Sequence, residues 1–472
     1  MKRPLISLVG LLLLCGAAHG QKFTSPCWEK LNSVPAPLEQ TGTLSVARPD
    51  GSGRSLWSVG CETVDRGFTV FNEYRSFIAG TGAGYARMQS GWAKTEKVRG
   101  QYDFAWLDEM VDGVLEQGVR PWISLSYGNT IYGNGETDLN AAIFEDEDTM
   151  QGWLAYVRTL VTRYRGKVGM YEIWNEPNGG KDPERARKYA ALFMKTARLI
   201  RETDPDAKIA GLALAGTHLN FTRRVMDMLR DEDGLHLMDY ATFHPYEKDP
   251  DTVVDSVKAL SDLVHSYSPD IMMLQGENGC PACLQHAFAL SKYEWTEYSQ
   301  AKWYLRRMST DFRMGIPSNI FTMADVEYRH TMNNKGLLKT DLNGEVVWIR
   351  PAYHAVGHMA SLLTPSLKAD TAMTFKADVP LNVTGLIREG RYVGVMLWKN
   401  GSIPGDSVSQ EPADVTVEGI DIKDPVWVEP MTGRVCEIGR YVSRKGGMSF
   451  RGLPLWDSPV FIMERDAVPM KR

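Results

Sequence analysis

Met170-Tyr171-Glu172-Ile173-Trp174-Asn175-Glu176-Pro177-Asn178 is the stretch on which the fold turns. Five residues of strand-forming character run into a polar turn, and an amphipathic stretch, Asp182 to Thr203, follows. The same unit recurs on both sides. Apolar runs lie at 55–61, 84–88, 121–127, 208–215, 240–244, 271–276 and 319–324. Stretches with apolar residues three to four apart lie at 102–117, 150–165, 220–230, 251–266, 293–313 and 348–363. Gly118, Pro205, Pro269, Gly315 and Pro317 punctuate the junctions. Eight strands alternating with helices imply parallel pairing with right-handed crossovers. At this length the closed form is a (β/α)8 barrel. An open doubly wound sheet usually carries a glycine-rich phosphate turn after its first strand. Here that strand ends Gly60-Cys61-Glu62-Thr63, so the barrel is the better reading.

Beyond Leu363 the helical period disappears. Short alternating runs such as Val393–Trp398, Val426–Val428 and Val460–Met463, separated by turns at Asn400-Gly401 and Gly446-Gly447, predict an antiparallel β-sandwich. The organisation read from sequence is a leader at 1–20, a segment at 21–54 that lends a strand to the sandwich, a barrel at 55–363 and the sandwich at 364–472. The leader has Lys2 and Arg3, then the apolar run Leu5–Leu14, too short to span a bilayer, then Ala18-His19-Gly20 before a cleavage point at Gln21. This predicts export without a membrane span. A lipid anchor at Cys15 is disfavoured because Leu14 stands where a small residue is expected.

Composition is that of a globular chain: 472 residues, 43% hydrophobic and 24% charged, which excludes disorder. A net charge of -5 offers no basic surface for nucleic acid. Export permits disulfides, and Cys280-Pro281-Ala282-Cys283 reads as a local staple, or else as two reduced thiols.

In a barrel of this kind the chemistry sits at the C-terminal ends of the strands. The fourth strand delivers Glu176, the seventh Glu277, the sixth His244 and Tyr246, the second Arg87, and the third Tyr127 and Asn129; Glu327 follows the eighth. Two carboxylates facing each other across a barrel mouth suit glycoside hydrolysis, where one protonates the leaving oxygen and the other attacks or activates water. Trp92 and Tyr127 are candidate platforms for sugar rings. Tyr132 and Tyr328 belong with them. The long loop at 128–148 is a candidate lid. Two carboxylates suffice for this chemistry, so no cofactor is expected. No second histidine stands at ligand spacing from His244, so no metal is expected either.

Trp174-Asn175-Glu176-Pro177-Asn178 after a fourth strand, with Glu277 ending a seventh, resembles the clan A retaining glycoside hydrolases. The trailing sandwich and Gly336-Leu337-Leu338 bring the chain closest to family 39, which contains β-xylosidases and α-L-iduronidases. The resemblance implies Glu176 as acid/base, Glu277 as nucleophile, Asn175 on the sugar 2-hydroxyl, Arg87 supporting the nucleophile, and His244 and Tyr246 beside it. It departs from many relatives where Gly276 and Asn278 flank Glu277, and where Phe321–Asp325 offers no Trp. The implied partner is an oligo- or polysaccharide. Two other functions use the same residues: a binding protein that lost catalysis, disfavoured because both glutamates are present, and a transglycosylase.

Overall fold

The computed structural model describes residues 23–133, 137, 141–329 and 331–471. The leader and Cys15 lie outside the described residues. Eight parallel strands close a barrel: β1 (Trp57–Gly60), β2 (Tyr85–Gln89), β3 (Arg120–Leu125), β4 (Met170–Ile173), β5 (Lys208–Ala215), β6 (Tyr240–His244), β7 (Met272–Asn278) and β8 (Ser318–Ile320). β8 pairs with both β7 and β1, so no edge is left unpaired. The walls are apolar because both faces are covered, which is why the strands read as runs without alternation.

Helices α1 (Ala105–Glu116), α2 (Glu147–Tyr164), α3 (Arg185–Thr203), α4 (Leu219–Asp231), α5 (Val254–Tyr267), α6 (Glu297–Arg313) and α7 (Pro351–Leu362) surround the barrel. In α1 the side chains of Leu107, Met110, Val111 and Val114 face the strands, as their spacing dictates. Asp146 caps α2 by accepting from the Thr149 amide, and Thr296 with Ser299 forms a capping box on α6. The first return is shorter than the others: a turn of helix at Phe71–Tyr74 followed by 3-10 turns to Thr81.

Three expectations change in detail. The expected last helix, 348–363, begins only at Pro351, because Val346–Ile349 pairs with Leu338–Thr340 and with Phe23–Thr24. The eighth strand ends at Ile320. The Cys280–Cys283 staple is not formed: Cys27, Cys61, Cys280, Cys283 and Cys436 are all free thiols, with Cys280 buried and Cys283 exposed.

The C-terminal region is two stacked antiparallel sheets. One has eight strands, ordered Lys368–Asp370, Leu381–Arg388, Arg391–Lys399, Val460–Glu464, Pro425–Glu429, Arg434–Glu437, Gln40–Leu44 and Met470–Lys471. The N-terminal Gln40–Leu44 is thus an inner strand of this sheet. The other has four, ordered Phe375–Ala377, Glu411–Glu418, Gly447–Leu455 and Tyr441–Arg444. Trp398, Trp427 and Trp456 are buried core residues.

α6 lies between barrel and sandwich and is buried along almost its whole length. Its fully buried cations Lys302, Arg306 and Arg307 are paired. Lys302 donates to Asp457 (2.5 Å), and Arg306 to Asp249 (2.8 Å) and Asp251 (2.6 Å). Asp251 also accepts from Asn382 and Trp398 of the sandwich, both at 3.0 Å. A hub of this kind locks the sandwich to the segment after β6, which carries Tyr246. Among the described residues no helix is long and apolar enough to cross a membrane.

Candidate active site

The turn after β4 is held in an unfavourable conformation. Trp174 has φ 70° and Glu176 φ 50°, a region that costs non-glycine residues of order 1–3 kcal/mol each. Three bonds to β5 hold it there: the Glu176 amide donates to the Ala213 carbonyl (2.8 Å), and the Asn178 side chain exchanges two 2.9 Å bonds with Ala215. The result aims Asn175 and Glu176 at the barrel axis.

Arg87, projecting from β2, is fully buried at the centre. Its guanidinium donates to Glu172 (2.8 Å), Glu62 (2.9 Å), Glu277 (3.3 Å) and Asn175 (2.6 Å). Burial alone would weaken its proton affinity; the three carboxylates outweigh it and push the pKa upward. One cation cannot balance three anions. Burial, reinforced by the charge on Glu277, outweighs Arg87 at Glu62 and pushes its pKa up to about 7.

Glu277 accepts from Arg87 through Oε2 and from the Tyr246 hydroxyl through Oε1, at 2.7 Å. Burial and then Glu277 raise the tyrosine pKa well above its ordinary value, so the hydroxyl remains a donor. His244 lies closer to Glu176 than to Glu277: Nδ1 is 3.0 Å from Glu176 Oε1 and 3.8 Å from Glu277 Oε2. Burial disfavours its protonation, yet the two glutamates prevail and raise its pKa. A donor atom from each of Glu176, His244 and Glu277 lies within 4.8 Å of the others. That set would also suit a cation by distance, but each member is already bonded within the protein.

The two departures around Glu277 have physical reasons. A β-carbon at Gly276 would lie 3.1 Å from His244 Nε2 and 3.2 Å from Thr242 Cβ, so a larger residue would crowd the imidazole. Asn278 is buried and donates to Ser318 and to the Asn319 carbonyl, stitching β7 to β8.

Two hollows meet over the glutamates. A narrow one of about 70 Å³ is lined by Glu62, Arg66, Gln89, Tyr127 and Asn175; a wider one of about 360 Å³ by His244, Tyr246, Phe288, Asn333 and Lys335. Glu176, Glu277, Phe321 and Tyr328 border both.

The structure gathers Glu176, Glu277, Asn175, Arg87, His244, Tyr246 and Tyr127 into one site. The Tyr127 hydroxyl accepts from Asn175 (2.9 Å), and the Arg66 guanidinium lies 5.2 Å from the centre of its ring. Four candidates stand elsewhere, among them Tyr132, which packs on Trp92 and donates to Glu96. Trp92 is completely buried among Tyr132, Trp153 and Tyr156, with its indole N–H on Glu96, so it cannot meet a sugar. Asn129 caps the turn Thr130–Tyr132 and donates to the Glu96 carbonyl. Glu327 sits in a hairpin with its amide on the Phe68 carbonyl; its neighbour Tyr328 is the residue that lines the site. The candidate lid falls partly on residues outside the description. Its described ends are tied down, Tyr132 to Glu96 (2.7 Å) and Asp148 to Arg99 (2.7 Å).

Sequence reading missed Glu172, Arg66, Gln89, Phe288 and Lys335. For Glu172 a signal existed: an acid inside the strand Met170–Ile173 must point into the barrel, where it needs a cation. Arg66, Phe288 and Lys335 sit on irregular loops, where no period marks direction.

Residues 86–262 match the model of the glycosyl hydrolases family 39. A β-xylosidase of Geobacillus stearothermophilus is 27% identical over 127 residues, 24% of this chain and 25% of that protein, so the chain spans only a quarter of that relative. Solved structures share the fold. A family 39 glycoside hydrolase from Bacteroides cellulosilyticus WH2 superposes with TM-score 0.65 at 18% identity, over 89% of this chain and 83% of that one. The family 39 enzyme of Xanthomonas axonopodis pv. citri gives 0.58 at 14%, over 91% and 98%. A monomeric β-xylosidase from Caulobacter crescentus CB15 gives 0.56 at 14%, over 90% and 97%. The resemblance drawn from the sequence is thereby borne out: over residues 86–262 this chain is similar to the family 39 glycosyl hydrolases, on a barrel-and-sandwich fold of the kind such enzymes adopt.

Proposed function

We propose that the protein is an exported O-glycoside hydrolase that works with retention, Glu277 acting as nucleophile and Glu176 as acid/base. The observation that carries this reading is the spacing: carboxylate oxygens of Glu176 and Glu277 lie within 4.8 Å. Retaining pairs stand about 5–5.5 Å apart, whereas inverting pairs need about 6.5–9.5 Å to admit a water.

The steps follow from the contacts. Arg87 and Tyr246 hold Glu277 with an oxygen facing the anomeric carbon. As Glu277 attacks, the bond to the leaving oxygen breaks and that oxygen takes the proton of Glu176. His244, bonded to Glu176, keeps a second proton next to the carboxylate so formed. Asn175, fixed between Arg87 and Tyr127, offers its amide to the sugar 2-hydroxyl. Glu176 then takes a proton from water, the hydroxide attacks the same carbon, and Glu277 leaves. Two inversions give net retention.

The test is hydrolysis of a panel of aryl glycosides, with product configuration followed by proton NMR. The expected result is release from at least one substrate with retained configuration and no release by Glu277→Gln. Glu176→Ala is expected to keep activity only on substrates with good leaving groups and to be accelerated by azide, which needs no general base. Inverted product, or undiminished activity in Glu277→Gln, would refute the assignment. Export is supported by the basic and apolar start of the chain, and Edman sequencing of the mature protein checks it by an N-terminus at Gln21.

A further inference from the structure

Away from the catalytic mouth, a hollow of about 400 Å³ lies between barrel and sandwich. Leu56 immediately precedes β1, and Ile316 lies just ahead of β8. The hollow is therefore at the N-terminal ends of the strands, the end opposite Glu176 and Glu277. Leu56, Phe312 and Ile316 wall it from the barrel and Leu367 from the sandwich. Two cations join this apolar wall: Arg313, the last residue of α6, and Lys368, which begins the edge strand Lys368–Asp370.

Arg313 differs from the other cations of α6. Lys302, Arg306 and Arg307 each have a carboxylate partner, whereas Arg313 has none within 4.0 Å among the described residues. Its Nε is buried with no hydrogen-bond acceptor. Weaker partners hold it: the face of Trp398, 5.6 Å from the guanidinium carbon, and the carbonyl end of α6. Asp251 acts on it only at longer range and is already bonded to Arg306, Asn382 and Trp398. Burial accordingly lowers the arginine's pKa, and Asp251 restores only part of the loss. A half-buried guanidinium short of acceptors, set in a carbon wall, calls for an anion with an apolar body. A sugar would leave its hydroxyls against that wall unsatisfied.

We infer that this hollow is a second binding site, for an aliphatic carboxylate whose acid group sits on Arg313 and whose chain lies along Leu56, Phe312, Ile316 and Leu367. Its volume falls within the range of about 300–1,000 Å³ usual for small-molecule sites. Carboxylate and guanidinium match in parallel N–H···O bonds, and the chain removes the apolar wall from water. Such a ligand touches barrel and sandwich together and fastens one to the other. The site is independent of the reaction at Glu277, because the two lie at opposite ends of the barrel.

Isothermal titration calorimetry of the full chain with butanoate, hexanoate and octanoate, and with 1-octanol as the uncharged control, tests this. Octanoate is expected to bind once per chain. Affinity is expected to rise roughly threefold to fourfold for each methylene that enters the hollow. Octanoate is expected to bind at least about tenfold more tightly than octanol, and Arg313→Met to bring it down to the octanol level. The wild-type series decides even if the variant fails to fold. Absence of saturable octanoate binding, equal affinity for octanol, or an octanoate affinity unchanged in folded Arg313→Met overturns the inference. So does competition between octanoate and an aryl glycoside, which would put the acid in the catalytic hollows instead.

Discussion

Replacing Arg87 by Met would leave Glu62, Glu172 and Glu277 facing one another with no cation between them. All three contact the guanidinium, and Glu62 and Glu172 are almost fully buried. Removing one partner of a buried ion pair costs about 3–5 kcal/mol. The variant can escape part of this by protonating its carboxyls, and that cost depends on pH. With an ordinary glutamate pKa near 4.3, neutralising one carboxyl costs about 3.7 kcal/mol at pH 7 and about 1 kcal/mol at pH 5. Arg87→Met is therefore expected to lose about 3–5 kcal/mol of stability at pH 7, and roughly 2–3 kcal/mol less at pH 5. Urea unfolding followed by tryptophan fluorescence at both pH values measures this. Activity is expected to be lost at pH 7 in the same variant, because the guanidinium donor that orients Glu277 Oε2 would be gone. A stability loss under about 1 kcal/mol, or one equal at both pH values, would refute the view that Arg87 holds this cluster together by charge.

Two further outcomes follow from burial. Trp92→Ala is expected to lower stability by about 3–5 kcal/mol, because it empties the centre of an aromatic cluster, with little effect on KM of the enzyme that remains folded; a raised KM with unchanged thermal unfolding would restore the platform reading. His354 stacks on Trp28 at 4.0 Å, and burial, with a smaller contribution from His358, lowers its pKa to about 4. Its folded form is neutral, so its stabilisation is complete above the ordinary value of 6.5 and is lost as pH falls from there to about 4, up to about 3 kcal/mol. His354→Asn is expected to flatten the stability profile over that interval in chemical denaturation, and an unchanged slope would refute the assignment.

How the chain reads depends on the kind of signal each residue carries. The eight strands were legible because a parallel strand covered on both faces must be apolar throughout, and because its return helix must keep a 3.6-residue period. Met170–Ile173, Lys208–Ala215 and Tyr240–His244 were therefore bounded almost to the residue. Site residues at strand ends were legible for the same reason: position along a strand fixes direction. Trp92 and Asn129 misled because they lie just past a strand end. There a side chain either turns to the axis or folds back under the loop, and composition does not distinguish the two.

Local chain chemistry thus determined the barrel, the sandwich and the carriers of Glu176, Glu277, Arg87 and Asn175. It also placed Tyr246 and His244 next to them. Tertiary structure alone decided that Arg87 serves three carboxylates, that His244 bonds Glu176 rather than Glu277, and that Gln40–Leu44 is an inner strand of a sheet formed mostly by the C-terminal region. It alone put Lys335 against Tyr246. The physical reason is range. Periodicity and turn chemistry act over a few residues, whereas ion pairing, desolvation and strand exchange join groups such as Arg87 and Glu277, 190 residues apart, that meet only when the barrel closes.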